Sequence, residues 1–509
     1  MRDMRLWLAC LCLAAMVLAP SKANAAWNQA QSKHFTVYSN GNVKELREFA
    51  EKLEKFDYLL RVMSGTDSKA NDRPLQVFAL DSTGEVRSIG RNPNAAGFYN
   101  TSDRNAFAVV TRRSGAGKFD LDSEQILFHE YAHHFMLHYF PAAYPAWYVE
   151  GFAEFYSTVT FKPDGAIVFG NPPLYRAPTL VRMGIYPLEK LFARTTDRLG
   201  ALEGDSYYGT AWLLTHYLHY NEKRGAEFAR YLKDVVTGVP DVTLDNHFEG
   251  GDKALEKELR AYINARISAS SLTTRELPPI SVTITALDPA QAALLKYRLR
   301  LMARMPEAER EKFAAGVRET AAHFPASADA QGVLADAEML SDHKDAALAA
   351  AERAIAIDPK YAPALATKAE LLLEKANASD KPEDWKAALA TIVKANRADL
   401  EDPVPLVLFY RYHAMRGGDM PAVGYDGLEK AFALLPQNPN YRFMLASAYA
   451  HRKNYRAAIR ILDVLAFSPH ESGMREGALK MQQSFRDAEA GGGAISLDVE
   501  VPAVEQDKE

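Results

Sequence analysis

His129 and His133 stand four residues apart with Glu130 between them, and Glu150 follows after a short proline- and aromatic-rich stretch. On an α-helix that spacing puts both imidazoles on one face, within reach of a single ion. Glu130 falls about 100° further round the same helix, beside such an ion rather than over it. A base belongs there if it is to take a proton from a metal-activated water. Glu150, on a second helix, completes a His₂Glu set and leaves a fourth position for water. The pattern demands a helix through 129–133 and a second helix folded back against it. Zn²⁺ is the expected cofactor of this set, and its ligands must be His and carboxylate, because Cys10 and Cys12 are the only cysteines and both precede residue 26.

The surrounding residues agree with that demand. Asp122 and Gln125 predict a capping-box start, and Ile126, Leu127, Phe128, Phe135, Met136 and Leu137 supply apolar helix positions. Pro141 and Pro145 predict a turn and a new helix that returns Glu150 to the first.

His129–His133 followed by Glu150-Gly151-Phe152-Ala153-Glu154 resembles the gluzincin metallopeptidases of the thermolysin-like kind, with a gap slightly short of the family's range. A closer resemblance is to the bacterial secreted peptidase-MA-like proteins. It rests on Trp27 with His34-Phe35-Thr36-Val37-Tyr38-Ser39, on Ala96-Gly97-Phe98-Tyr99 and on Tyr208 to Leu218, and it covers residues 27–270. The resemblance implies a zincin fold and peptidase-like chemistry but fixes no substrate. It implies that Glu154 hydrogen-bonds a ligand histidine from outside the metal. It also implies that a tyrosine of this region, Tyr208 or its neighbour Tyr207, stabilises the oxyanion of a tetrahedral intermediate. A zincin sheet edge binds extended substrate, and Asn94 to Tyr99 or Asn105 to Thr111 is the candidate edge; either reads equally well as an ordinary strand.

Over 509 residues the chain has room for two to four domains. A net charge of −5 gives no electrostatic reason to expect nucleic acid or anionic lipid as a partner. Arg2 and Arg5, the apolar run Leu6 to Ala19 and Ala23-Asn24-Ala25 read as a signal peptide over 1–25. A periplasmic or secreted bacterial protein is expected, with no membrane span after cleavage.

The expected organisation is an α+β zincin-like domain over 26–275, a connector over 276–290 with one edge strand, and an all-α tetratricopeptide-like repeat domain over 291–487. A disordered acidic tail is expected over 488–509. Prolines 325, 359, 403, 436 and 469 recur at nearly regular intervals. Small residues pair seven apart at Ala347/Ala354, Ala388/Ala395, Gly424/Ala431 and, more loosely, Ala457/Val464. These features resemble tetratricopeptide repeats, where small side chains let paired helices approach. The long second interval predicts an insertion around Ala378 to Asp384, and His413 stands where a small residue belongs.

The functional expectation is a secreted zinc metallopeptidase acting on a peptide or protein substrate. Glu130 is its general base, His129, His133 and Glu150 are its ligands, and the repeats recruit a protein partner or shape substrate access. The alternative is a non-catalytic periplasmic repeat scaffold with an idle zincin domain. His134 and His138 are expected in packing or at the surface, with His216 a minor candidate for a second donor near the metal.

Overall fold

The computed structural model describes residues 26–66, 73–91, 97–112, 122–192, 199–239, 242–273, 277, 279–303, 305–467 and 473–491. The expected signal peptide, residues 94–96 of one candidate edge and residues 492–509 of the tail expected over 488–509 lie outside these residues, whereas residues 488 and 489 of that expected disordered tail are the end of a helix. Among the described residues, no helix is long and apolar enough to cross a membrane.

Three apolar segments make the centre of a six-stranded mixed sheet: β2 (Phe35–Ser39), β3 (Leu75–Leu80) and β5 (Ala106–Thr111). They pair in parallel, β2 with β3 and β3 with β5. Parallel strands are covered on both faces, which is why these read as near-continuous apolar runs. β1 (Asn28–Gln31) pairs antiparallel with β2, and β4 (Gly97–Thr101) antiparallel with β5. β9 (Thr283–Ala286) adds to the sheet beside β1. The strand order is β4-β5-β3-β2-β1-β9, so β4 is a sheet edge and 105–111 is interior. Of the two candidate edges, only the one containing Gly97–Tyr99 lies at a margin.

On one face Phe35, Val37, Leu75, Val77, Ala108 and Val110 pack against α1 (Val43–Ser64) and α3 (Ser123–Tyr139). The other face carries Phe78, Leu80, Phe107 and Val109, covered by α2 (Thr83–Gly90) and by Leu295, Leu299 and Ala303. Leu295 and Leu299 belong to α11 (Pro289–Met302). The expected connector is thus partly sheet, and the helix after residue 290 is a layer of the first domain. Burial decides this: without α11 the second sheet face would be covered by the short α2 alone.

α4 (Ala146–Ser157) follows α3, and the short α5 (Ala177–Met183) and α6 (Leu188–Leu191) lead on to α7 (Ala201–Tyr220), which packs across α4. Gly151 makes that crossing possible, since a Cβ there would stand 2.6 Å from the Ala211 carbonyl oxygen. Behind α7 come α8 (Glu222–Thr237), α9 (Leu244–His247) and α10 (Gly251–Tyr262). A small antiparallel sheet joins β6 (Thr160–Phe161), β7 (Ile167–Phe169) and β8 (Ser270–Leu272).

From α12 (Glu307–Ala321) onward the described chain is helical, mostly in hairpins. α13 (Ala328–Leu340) pairs with α14 (Lys344–Ile357), and α15 (Ala362–Ser379) with α16 (Pro382–Ala398). α17 (Pro403–Arg416) pairs with α18 (Ala422–Leu434), and α19 (Pro439–His451) with α20 (Tyr455–Ala466). α21 (Gly473–Glu489) closes the array against α20. Ala347, Ala354, Ala388, Ala395, Gly424 and Ala431 are buried at these contacts. In α20 the buried positions are Ala458, Leu462 and Ala466, while the expected pair Ala457 and Val464 is only half-buried. The extra length of the second interval goes into the helices themselves: α15 has 18 residues and α16 has 17, against 13 and 14 in the preceding pair. At the third unit Tyr412, beside His413, is buried and meets Trp385 edge-on.

The hairpins and the sheet share one core. Val407, Leu428, Tyr441 and Leu445 belong to the cluster that contains Phe35 and Tyr131. The turn after β4, Ser102 to Asn105, enters the hollow of the helical array. Arg104 Nε donates to Asp402 at 2.9 Å, Asn438 Nδ2 donates to the Ser102 carbonyl at 3.1 Å, and the Tyr441 hydroxyl donates to the Asp103 carbonyl. A cavity of about 840 Å³ remains around this turn. Asp402 is 1 % exposed and also caps α17 through Val404 N–H. Arg104→Ala leaves that carboxylate buried without its cation and is expected to cost roughly 3–5 kcal/mol. Thermal unfolding checks this against Asp402→Asn and the double variant; additive losses would mean that the pair does not couple.

Candidate metal centre

α3 begins with the capping box read from Asp122 and Gln125: Asp122 accepts from the Glu124 N–H, and Gln125 reaches back to the Asp122 N–H. The cap sets the helix phase, and the phase sets where His129 and His133 point. Their Nε2 atoms lie 3.0 Å apart, and each lies 3.3 Å from Glu150 Oε2 on α4. Ligands about 2.0–2.1 Å from a tetrahedral zinc are separated by roughly 3.3 Å. The three donors therefore stand on one face of a tetrahedron already sized for that ion.

The electrostatics match a cation. Burial alone would lower the His129 pKa, but its bond to Glu150 and the carboxylates of Glu154, Glu150 and Glu130 raise it to about 9. The same burial would raise Glu150, yet His133 and His129 hold it well below the usual carboxylate range. An excess of anionic oxygen around two imidazoles suits a divalent cation. The residues present fit zinc.

A second convergence, His34, Glu54 and Asp57, does not have this character. Asp57 already accepts from Arg61 Nε at 2.7 Å and from the Tyr131 hydroxyl at 2.6 Å. A guanidinium supplies the positive charge there. Asp57 thereby anchors Tyr131, next to Glu130, to α1.

Glu154 is wholly buried, with Oε1 3.7 Å from His129 Nδ1. That is ion-pair distance, longer than a hydrogen bond. Its firm partners are Tyr175, whose hydroxyl donates at 2.6 Å, and Arg176, whose Nη2 donates at 2.7 Å. Arg176 also bonds Asp205 on α7. Tyr175 and Arg176 lie in the loop after Pro172-Pro173, where nothing in the sequence marks them; only the fold brings them under His129.

Tyr207 and Tyr208 both feel Glu150. For Tyr208 that carboxylate is the largest influence raising the phenol, ahead of burial, with Glu154 and Glu130 adding to it. For Tyr207 burial is larger, and Glu150 comes second. The Tyr208 ring also lies 4.9 Å from the Arg176 guanidinium.

Glu130 and His133 line a cavity of about 230 Å³ together with Tyr99 of the edge strand β4. Gln437, Arg442, Val464, Leu465 and Phe467 close it from the helical array. His134 is buried against that array: its Nδ1 lies 3.0 Å from the Tyr99 hydroxyl, and Gln437 donates to its carbonyl. His138 stacks on His134 at 5.3 Å. His216 is engaged elsewhere than at the candidate ligands: its two ring nitrogens lie 2.9 Å from the Tyr262 hydroxyl and 2.9 Å from the Ser268 carbonyl.

No protein-family model matches this chain, and no curated protein matches its sequence. Among solved structures it is similar to a thermophilic TPR protein of Thermus thermophilus, at 17% identity over 39% of this chain and 92% of that one, with a TM-score of 0.27. It is likewise similar to PilF of Pseudomonas aeruginosa, at 19% identity over 40% of this chain and 90% of that one, with a TM-score of 0.29. A likeness of that size carries no functional weight.

Proposed function

We propose that this chain is an exported zinc-dependent metallopeptidase, with a zincin-like domain that carries the site and tetratricopeptide-like helices that wall its cleft. The observation that supports it most is the set of three donors 3.0–3.3 Å apart with Glu130 on the adjoining cavity. Zinc, when bound, supplies a Lewis acid that brings the pKa of its water to near 7 and polarises a carbonyl. Glu130 accepts the proton of the attacking water and passes it to the leaving amine. The Tyr208 phenol, kept neutral by Glu150 and burial, remains a hydrogen-bond donor for the oxyanion. Glu154, fixed by Tyr175 and Arg176, places its charge 3.7 Å behind the His129 ring. β4 beside the cavity offers its free edge to an extended substrate.

The test is hydrolysis of a peptide library by zinc-loaded protein, with and without chelator, alongside elemental analysis. One zinc per chain is expected, lost in His133→Ala, with cleavage that chelator abolishes. Zinc retained in His133→Ala would remove the ligand assignment. Zinc bound without any chelator-sensitive cleavage would favour the idle-scaffold alternative.

A further inference from the structure

Arg442 is 2 % exposed and lines the same cavity as Glu130 and His133. Its Nη1 donates to the Ile461 carbonyl at 2.9 Å, while Nε and Nη2 are buried with no hydrogen-bond partner. Burial is the one influence on its pKa, with no carboxylate opposing it, and the guanidinium rests over the Phe432 ring at 5.1 Å. That burial pushes the pKa down to about 9, which leaves the group charged at neutral pH. An uncompensated buried cation is costly, and guanidinium donors in a fork are shaped for carboxylate.

The placement matters as much as the charge. Gln437, whose Oε1 is also buried without a partner, lines the same space and would accept an N–H. At about 230 Å³ the cavity is below the roughly 300–1,000 Å³ of ordinary ligand pockets, so it suits a short end of a chain. One end of it holds the proton-transfer base and a metal ligand; the helical array supplies a donor and an acceptor.

We propose that Arg442 is the specificity residue of this cleft, and that favoured substrates carry a carboxylate, from a peptide C-terminus or an acidic side chain, into the cavity. This rests on the peptidase reading for the identity of the ligand as a substrate, but carboxylate recognition itself does not require turnover.

The experiment measures binding by titration calorimetry on chelator-treated full-length protein, so that zinc cannot capture the anion. N-acetyl-leucine is compared with N-acetyl-leucinamide, and N-acetyl-glutamate amide with N-acetyl-glutamine amide. Wild type is expected to prefer the anion roughly 10- to 100-fold in at least one pair, as a charge-assisted hydrogen bond supplies. The pair that responds identifies the terminal or the side-chain source. R442M is expected to lose the preference. Should R442M not fold, R442Q, whose amide can keep a bond to the Ile461 carbonyl, carries the same comparison. No preference in wild type, or an equal preference in the folded variant, overturns the inference. Hydrolysis with zinc restored is read in parallel: carboxylate binding without turnover strikes the peptidase reading alone, and turnover without carboxylate preference strikes this inference alone.

Discussion

Glu130→Gln is expected to keep its zinc and to lose about 10²–10⁴ in the rate of peptide hydrolysis. The side chain is half-buried on α3, between the two histidines, and lines the cavity with His133. It faces open space there rather than a structural partner, so an amide of nearly the same shape leaves the fold intact. What disappears is the capacity to accept a proton. Glu150→Gln acts on a different atom set: it replaces the anionic oxygen 3.3 Å from both ligand nitrogens, and zinc affinity falls with the lost charge. Metal content and single-substrate kinetics on the two variants separate the roles. Wild-type turnover by Glu130→Gln would rule out Glu130 as the proton acceptor, and full zinc in Glu150→Gln would remove it from the ligand set.

Cutting the chain at residue 290 is expected to leave 26–290 unable to fold, in contrast to the independent domain that the repeat pattern suggests. Leu295 and Leu299 of α11 cover Phe78, Phe107 and Val109, and burying two leucines contributes about 3–6 kcal/mol. The cut also exposes the surface buried under Val407, Leu428, Tyr441 and Leu445 and removes Asp402 from Arg104. Together these losses approach or exceed the roughly 5–15 kcal/mol by which a domain is stable. Circular dichroism and thermal melting of the purified fragment are the measurement. A soluble fragment with a cooperative transition would show that the first domain does not depend on the helices that follow.

Sequence alone determined those parts of this protein whose physics is local. The i, i+4 histidines, the intervening glutamate and the Asp122–Gln125 cap lie within a few turns of one helix, where backbone geometry converts spacing directly into direction. The strand over 106–111 was legible within Asn105 to Thr111, and so were the small residues repeated through the helical hairpins. Tertiary structure decided the rest. It chose β4 over β5 as the sheet edge, moved α11 into the first domain, turned Ala458 rather than Ala457 inward in α20, and put Tyr175 and Arg176 on Glu154. It also brought Arg442 to a cavity whose other wall lies some 300 positions earlier in the chain. No periodicity encodes such a meeting. It depends on how hairpins stack and where a turn such as Ser102 to Asn105 enters their hollow, and those are settled by burial and by pairing of charges far apart in the chain.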